Sequence, residues 1–394
     1  MKILIIHNFY GTEAPSGENR VVEMEMQMLG RHGHTVEIFA RYSDDIRKQG
    51  LWGKIKGGLV TPWNWAMFFA IRRKINQFKP DVVHVHNTFP LISPSVFWGI
   101  PRAVVTVMTL HNYRIVCPAA LPIRGGKVCT LCIETRSVFN SFRFGCYRNS
   151  KLATVPLAVC VAFHRWIRTW QRVNIFIALN KFHLDLMFRC GWGNSVFGEK
   201  SNFLAAQTDS FSREKGDFCV YVGRLSQEKG IVSLIHAWRL WGNMAPLLKI
   251  IGDGDLRLFL EKEAAGVNVL FLGQKVHTEV YNEIASAKLL VLPSECYECF
   301  PMVVPEAFSV GTPIGTTDLG PLPSIVEDGV TGVIFPSNNP QRLYETVSSL
   351  WDDKEKLSEM GRNARREYEA KYTEEANYRQ LMEIYKSAFS NKVI

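Results

Sequence analysis

The chain has 394 residues, of which 47% are hydrophobic and 21% are charged. This composition is ordinary for a globular protein, and it excludes a largely disordered chain, a collagen and a coiled coil. The length predicts two domains, and 46 basic against 37 acidic residues give a net charge of +9, which favours anionic partners.

The first half of the chain opens with a βαβ pattern. The apolar run at 2–6 predicts a strand, apolar residues at helical spacing predict a helix over 20–32, and residues 35–40 predict the next strand. Such an opening indicates a parallel sheet. Further buried strands are predicted at 81–86, 103–107 and 174–179.

The second half repeats this alternation from about residue 217. The predicted strands are 218–222, 247–251, 267–272, 289–293 and 312–316. The predicted helices are 229–242, 255–265, 278–287, 303–310 and a charged tail at about 352–391. The fold class is therefore α/β with two doubly wound units, and the polar stretch 198–216 is the predicted linker.

The start of the chain and its apolar stretches predict neither a secretory signal nor a membrane span. The run at 2–6 is too short for a signal sequence, and the stretch 152–163 is well short of the ~20 residues that a spanning helix needs. We therefore expect a cytoplasmic protein. In that compartment the nine cysteines should be mostly reduced, so that clustered cysteines suggest a metal before a disulfide.

Gly17 lies in the loop between the first predicted strand and helix. Free N–H groups and the helix dipole favour phosphate at such a position, and glycine lets the backbone come close to a ligand. Taken alone, the glycine is a weak signal, and an ordinary tight turn is the alternative.

The loop from Gly223 to Gly230 also follows a strand and precedes a helix. Arg224 offers a forked donor and Lys229 a point charge, so that together they can clamp a diphosphate. The alternative is a solvated loop with Ser226 as the N-cap of the helix.

Gly252 and Gly254 follow the next predicted strand. They lack the third glycine of the dinucleotide fingerprint, which disfavours a dehydrogenase. A ligand-lining role and a simple helix start capped by Asp255 both fit.

Glu298 and Glu306 are eight residues apart, after a strand predicted to end near Ser294. Pro301 and Pro305 suit the entry and first turn of a helix, so we expect Glu298 at the carboxyl edge of the sheet and Glu306 in the helix. Open α/β sheets bind ligands at that edge, and two carboxylates can accept hydrogen bonds from vicinal sugar hydroxyls. The alternative is two exposed acids stabilised by the helix dipole.

In order and spacing, these motifs resemble the retaining glycosyltransferases of family four, which have the GT-B fold, over nearly the whole chain. The segments 311–313 and 326–332 share the resemblance. It implies two Rossmann-like domains that face a cleft, with a nucleoside-diphosphate sugar bound mainly by the second and no catalytic metal. It places Arg224 and Lys229 on the diphosphate, Glu306 on the ribose and Glu298 on the transferred sugar.

The resemblance also matches His111 to the family's histidine near the donor sugar. The alternative is a histidine in the cleft whose hydrogen bonds are all made within the protein. The catalytic candidates are His111, Arg224, Lys229 and Glu298. The donor-binding candidates are Gly17, Gly223, Gly252, Gly254, Phe300, Pro301, Met302, Val303 and Glu306.

The same resemblance predicts the domain boundaries. Residues 1–205 form an acceptor domain with a Cys-rich insertion at 117–146, residues 206–375 form the donor domain, and residues 376–394 form a helix that packs back on the first domain. Ser16 departs from the family's paired glycines but leaves the second glycine, Gly17, in place. Cys299 and Pro301 depart from the family's glycine pattern in the loop at 298–306, and they alter loop amides placed to contact the donor.

The insertion carries a four-cysteine pattern of the kind that binds zinc. Its members are Cys117, Cys129, Cys132 and Cys146. A structural zinc ion would order the polar loop between them, whereas four reduced thiols are the alternative. Because the insertion follows His111, it could shape the acceptor pocket.

Tryptophan alternates with lysine and arginine in two stretches, 51–74 and 164–172. This mixture suits an anionic membrane interface, and core aromatics with exposed basic faces are the alternative. We expect no nucleic-acid partner, because no recognised nucleic-acid fold or motif accompanies the charge.

The sequence thus predicts a retaining glycosyltransferase that moves a sugar to a saccharide acceptor, expected to be lipid-linked, in bacterial surface polysaccharide synthesis (O-antigen, capsule or exopolysaccharide). Association with the inner face of the plasma membrane is left open. One alternative is a GT-B phosphorylase or sugar-phosphate synthase. The other is a non-catalytic, zinc-bearing membrane adaptor.

Overall fold

A computed structural model describes residues 1–11, 17–45, 50–205 and 214–391. The chain divides into two compact units, each described here by itself. Unit 1 contains Met1–Pro122, Cys129–Asn202 and the segment that begins at Asn377. Unit 2 contains Ile123–Val128 and Phe203–Ala376. Ser16 and residues 206–213 of the predicted linker lie outside the described residues.

Unit 1 is built on a parallel sheet, as the βαβ opening predicts. In the described residues its strands run in the order β2-β1-β3-β4-β7-β8. β1 is buried on both faces from Ile3 to Phe9, which explains its continuous apolar run. The strands are β1 Lys2–Phe9, β2 Thr35–Tyr42, β3 Val82–Val85, β4 Val105–Thr109, β7 Ile175–Ala178 and β8 Phe197–Glu199.

Helices cover this sheet, and one of them comes from the end of the chain. The helices of unit 1 are α1 Gly17–Arg31, α2 Gly50–Val60, α3 Trp65–Phe78, α4 Val96–Gly99, α5 Leu131–Glu134, α6 Phe139–Phe144, α7 Lys151–Trp166 and α8 Lys181–Arg189. The last helix, α16 Glu374–Ser390, belongs to unit 1 from Asn377 onwards.

Unit 2 has a second parallel sheet, in the order β11-β10-β9-β12-β13-β14. Its strands are β9 Gly216–Val222, β10 Leu247–Ile251, β11 Val269–Gly273, β12 Ala287–Leu292, β13 Ile314–Thr317 and β14 Gly332–Phe335. Its helices are α9 Ile231–Trp241, α10 Arg257–Glu263, α11 His277–Ser286, α12 Val303–Ser309, α13 Leu322–Ile325, α14 Pro340–Asp352 and α15 Lys354–Glu367. A short hairpin, β5 Ile123–Arg124 and β6 Lys127–Val128, is also grouped with unit 2.

The two parallel sheets confirm the predicted α/β class. Several elements differ from the prediction in detail. The tail predicted as helical at 352–391 is divided by a π-helical turn at Tyr368–Tyr372. The suggestion that Asp255 caps a helix is wrong, because α10 begins at Arg257 with Leu256 in the cap position.

In each sheet, the side on which the chain adds successive strands reverses once. The candidate sites lie at these reversal points. In unit 1 the chain runs from β1 outward to β2 and then returns to the other side of β1 as β3. In unit 2 it runs from β9 to β10 and β11 and returns beside β9 as β12. Ligands of open α/β sheets bind outside the carboxyl ends of the strands at such points.

Within the described ranges, no helix is both long enough and apolar enough to span a bilayer.

Candidate functional site

In unit 2, the loop after β9 is fastened to the loops after its two neighbouring strands. The Leu225 N–H donates to the Asp253 carbonyl at 2.9 Å, after β10. The Glu295 N–H, after β12, donates to the Glu228 carbonyl at 2.9 Å. The predicted diphosphate loop therefore has a fixed path at the switch point of the sheet.

Gly252 permits this fastening by a close backbone approach. Its φ is +137°, and a Cβ there would lie 2.0 Å from the Gly223 carbonyl oxygen. A Cβ on Gly254 would lie 2.4 Å from the Leu225 carbonyl oxygen. Backbone packing therefore requires these glycines, and their contact with a ligand stays a prediction.

Lys229 and Glu298, predicted as separate ligand contacts, form an ion pair in this structure. Lys229 Nζ lies 2.6 Å from Glu298 Oε1, and the Ser294 hydroxyl donates to the same oxygen at 2.8 Å. Burial opposes both charges, but the attraction within the pair outweighs it. The pKa of Lys229 is consequently raised and that of Glu298 lowered. Arg224 is exposed, and its charge acts on both members of the pair.

Glu306 lies in the first turn of α12, and its side chain is 9% exposed. His277 at the start of α11 holds Glu306 Oε1 with its Nε2 at 3.1 Å. Among the donor-binding candidates that precede Glu306 in the sequence, Phe300 and Val303 are buried, whereas Pro301 and Met302 are half-buried.

Sequence reasoning missed His277 and Ser294 as partners of the two predicted carboxylates. Neither belongs to a recognisable motif. Ser294 stands four residues before Glu298, but His277 approaches Glu306 only through the packing of α11 against α12. No spacing rule in the sequence joins residues on two different helices.

In unit 1, the predicted residues occupy the carboxyl edge of the first sheet. Gly17 is exposed and begins α1, so its amide is at the positive end of the helix dipole. His111 follows β4 and is half-buried. Because β3 neighbours β4, His86 at the end of β3 reaches it, and His86 Nδ1 lies 2.8 Å from His111 Nε2.

Glu18 adds a carboxylate to this edge that the sequence analysis did not single out. Asn87 donates from its side-chain amide to Glu18 Oε1 at 2.7 Å and to the Tyr10 hydroxyl at 2.6 Å. Burial raises the pKa of Glu18 to about 7, against the amide hydrogen bond from Asn87 and the charge of Arg114. Its place directly after Gly17 was the available signal.

The four cysteines of the insertion all lie in unit 1. Cys117 and Cys132 are buried, whereas Cys129 and Cys146 are half-buried. Burial is the main cause that raises the pKa of the Cys117 thiol to about 12 and that of Cys132 to about 11, and the neighbouring cysteines act in the same direction.

The four sulfur atoms do not form a tetrahedral metal site in this structure. A tetrahedral zinc site needs them about 3.8 Å apart, and no three of them lie within 4.8 Å of one another. Within the part of the chain that the structure describes, such a group is formed by Glu25, His84 and His86. The zinc site therefore stays a prediction.

Parts of the two Trp-rich stretches are exposed on α2, α3 and α7 of unit 1, whereas Trp63 is half-buried and Trp170 is buried. We call the exposed part the aromatic–basic surface. Its large apolar members are Trp52, Leu59, Trp65, Phe69 and Trp166, which are 60–79% exposed. Lys56, Arg72 and Arg73 are exposed on the same helices. In the described part of unit 1 these side chains stay largely exposed, so core packing does not explain them.

Comparison with known sequences connects this geometry to a family. The family model "Glycosyl transferases group 1" matches residues 205–367, and "Glycosyltransferase Family 4" matches residues 15–127. An uncharacterised glycosyltransferase of Methanocaldococcus jannaschii is 30% identical over 388 residues, covering 91% of each chain. The O-antigen chain mannosyltransferase C of Escherichia coli is 26% identical over 181 residues, covering 45% of this chain and 48% of that protein.

Solved structures show the same architecture. A sucrose-phosphate synthase from Thermosynechococcus elongatus superposes with a TM-score of 0.69 at 17% identity, covering 99% of each chain. The Anabaena protein HepE, solved in complex with UDP, superposes with a TM-score of 0.67 at 16% identity, covering 98% of this chain and 100% of that one. The fold is that of the GT-B glycosyltransferases, as predicted. The chain belongs to the group 1 glycosyltransferases.

Proposed function

We propose that this protein is a retaining glycosyltransferase that takes its sugar from a nucleoside diphosphate. The observation that carries the proposal is the arrangement in unit 2. At the switch point of its sheet, Arg224, Lys229 and the partly buried Glu298 lie on loops that are hydrogen-bonded to each other. A second carboxylate, Glu306, lies on the helix that follows. A diphosphate and two sugars supply the charges and hydroxyls that such a set can bind.

Each residue has a role in this proposal. Arg224 and Lys229 donate to the diphosphate, and they offset the charge that develops on the leaving group. Lys229 has three N–H donors, so it can keep Glu298 while it binds phosphate. Glu306, oriented by His277, accepts hydrogen bonds from the ribose hydroxyls, and Glu298 does so from the transferred sugar.

The reaction proceeds on one face of the sugar. The bond from the anomeric carbon to the β-phosphate oxygen breaks while the acceptor oxygen bonds to the same face. The acceptor hydroxyl gives its proton to a phosphate oxygen, which leaves as the nucleoside diphosphate. Fixed cations that face the leaving oxygens need no reorganisation during this step.

The acceptor in this proposal is a saccharide, lipid-linked, in bacterial surface polysaccharide synthesis at the inner face of the plasma membrane. The partial likeness to an O-antigen mannosyltransferase supports this acceptor class. The aromatic–basic surface supports docking on an anionic membrane, since its rings and cations suit that interface. Zinc bound by the four cysteines would order the insertion, and the zinc content of the purified protein is the measurement that decides it.

Thermal stability against UDP-, GDP- and ADP-sugars and the free nucleotides tests the donor site. A ligand at about 100 times its Kd should stabilise the native state by about 2.7 kcal/mol. We expect a shift with one nucleotide class, and UDP is the first to try because HepE binds it.

Two variants make the test specific. Glu306→Ala should lose most of the shift, whereas Glu359→Ala, an exposed acid on α15 of the same unit, should keep it. If well-folded protein shows no shift with any nucleotide, the donor proposal is wrong and the adaptor alternative gains. If the nucleotide binds but transfer needs phosphate or a sugar phosphate as acceptor, the phosphorylase or synthase alternative is correct.

A further inference from the structure

Unit 1 contains a buried charged cluster that the proposed function leaves without a role. Glu25 on α1 is fully buried, and Lys200 after β8 is 1% exposed. Lys200 Nζ lies 3.1 Å from Glu25 Oε2 and donates to Asn377 Oδ1 at 3.0 Å. Removing two charges from water costs several kcal/mol per ion, so stability alone is a poor reason for the pair.

The other oxygen of this carboxylate faces two histidines at the end of β3. Glu25 Oε1 lies 2.9 Å from His84 Nδ1 and 3.2 Å from His86 Nε2. Two imidazoles and a carboxylate are a familiar metal-ligand set. Here, however, the Lys200 ammonium already supplies the positive charge at Glu25, and a divalent ion would place a second cation on the same buried carboxylate. The cluster is better explained as a chain of close polar contacts with its own internal cation.

The charge of Glu25 determines which nitrogen of His86 carries the proton. Burial opposes ionisation of Glu25, but Lys200 and the two histidines outweigh it and hold the pKa of its carboxyl well below the ordinary value. Burial lowers the pKa of His86 to about 4, so its ring is neutral at pH 7 and has a single N–H. A bare Nε2 would place its lone pair 3.2 Å from a carboxylate oxygen, so the proton belongs on Nε2.

The position of the proton on His86 in turn determines the position of the proton on His111. His86 Nδ1 is then an acceptor, and it lies 2.8 Å from His111 Nε2. Burial and the neighbouring histidine hold the pKa of His111 well below its ordinary value, so this ring is neutral as well. His111 therefore carries its proton on Nε2 and donates it to His86. Its Nδ1 is left as a bare acceptor.

We propose that Lys200, Glu25 and His86 are positioning residues that lock His111 in one tautomer, so that its Nδ1 accepts a hydrogen bond from a substrate hydroxyl. This rests on the proposed function for the identity of the substrate. A bare nitrogen lone pair attracts a hydroxyl donor and repels a phosphate oxygen. This tautomer fits the sugar contact that the family resemblance gives to His111, and it does not fit a contact with the diphosphate.

The tautomer is measured directly by long-range ¹⁵N–¹H correlation spectra of the histidine rings in the full chain, with His111→Gln used to assign the signals. In the wild type we expect the His111 proton on Nε2. Glu25→Gln should reverse it, because Lys200 retains the amide oxygen and the amide N–H₂ then faces His86 Nε2. His86 would move its proton to Nδ1, and His111 would follow. Glu23→Gln, exposed on the same helix, should change nothing.

Sugar transfer supplies the second measurement. Glu25→Gln should lower kcat/KM by about 10- to 100-fold, if the loss matches that seen when a residue that orients a metal-binding histidine is removed. In a His111→Ala background the same change should cost less than about twofold, whereas a purely structural loss would cost the same in both backgrounds.

The possible outcomes separate the two proposals. A wild-type His111 protonated on Nδ1 overturns the inference without any variant, as does equal loss in both backgrounds. If Glu25→Gln does not fold, Glu25→Gln with Lys200→Met, which leaves no unpaired charge, should still weaken the preference of His111 for Nε2. If no donor supports transfer while the tautomer reverses, the proposed function fails and the positioning chain stands.

Discussion

Glu18 and Glu25 lie on the same helix, two turns apart, and burial acts on them with opposite results. Glu25 has the Lys200 ammonium within 3.1 Å and is held ionised. Glu18 has amide donors at contact distance and the more distant charge of Arg114, and its pKa rises to about 7. One cation in direct contact therefore separates a carboxylate that is charged at neutral pH from one that is about half protonated there.

The raised pKa of Glu18 predicts a specific pH dependence of stability. An unfolded glutamate ionises near its ordinary pKa, whereas the folded protein keeps this proton up to about pH 7. Glu18 therefore stabilises the fold below about pH 4.5, and this contribution is lost as the pH rises through 7. The loss amounts to about 3 kcal/mol at most.

Urea unfolding at pH 4.5 and pH 8 checks this prediction. Glu18→Gln cannot ionise, so its free energy of unfolding minus that of the wild type should be larger at pH 8 than at pH 4.5, by up to about 3 kcal/mol. Glu23→Gln, an exposed change on the same helix, should show no such difference. A Glu18→Gln effect of equal size at both pH values contradicts the shift.

Site residues in short sequence motifs could be predicted, whereas contacts made only by tertiary packing could not. Arg224, Lys229, Glu298 and Glu306 stand in short motifs, and the sequence could single them out. Residues such as His277 and Lys200 meet their partners only through tertiary packing. The ion pair between Lys229 and Glu298 was likewise beyond prediction, because 69 residues separate two charges that the order of the strands brings together.

At the level of the elements, the strands were predictable because buried parallel strands are continuous apolar runs. The helices α2, α3 and α7 were not predicted, since their apolar residues are not confined to one face. Trp65 and Phe69 on α3 and Trp166 on α7 remain exposed. When apolar residues also lie on the exposed face of a helix, the apolar spacing of about 3.6 residues that identifies a helix in the sequence is lost.

These exposed rings predict membrane binding that depends on charge. Full-length protein should float with vesicles of phosphatidylglycerol and much less with vesicles of phosphatidylcholine, and added salt should weaken the binding. Trp65→Ser with Trp166→Ser should reduce partitioning about tenfold or more, because each ring buries a large apolar area on insertion. Leu258→Ser with Met244→Ser, equally exposed positions on unit 2, should have little effect. Equal losses in the two pairs contradict a specific docking surface.

At the scale of the whole molecule, unit 1 is discontinuous in the sequence. Its sheet is formed before residue 203, yet α16 arrives after the whole of unit 2. Tyr385 on α16 is fully buried, and its hydroxyl oxygen lies 2.9 Å from His84 Nδ1. The last helix therefore completes the core of the first sheet and the charged cluster beneath it.

This arrangement predicts which unit a change in the last helix destabilises. Tyr385→Ala should cost unit 1 about 3–5 kcal/mol, the range for removal of a buried aromatic side chain. Multidomain chains often unfold in more than one step, so differential scanning calorimetry should place this loss in one transition, lowered by roughly 10 °C. Trp238→Ala, a fully buried aromatic of unit 2, should lower the other transition. If Tyr385→Ala lowers the transition that Trp238→Ala lowers, α16 stabilises unit 2, in contradiction to the contacts it makes with His84 and the first sheet.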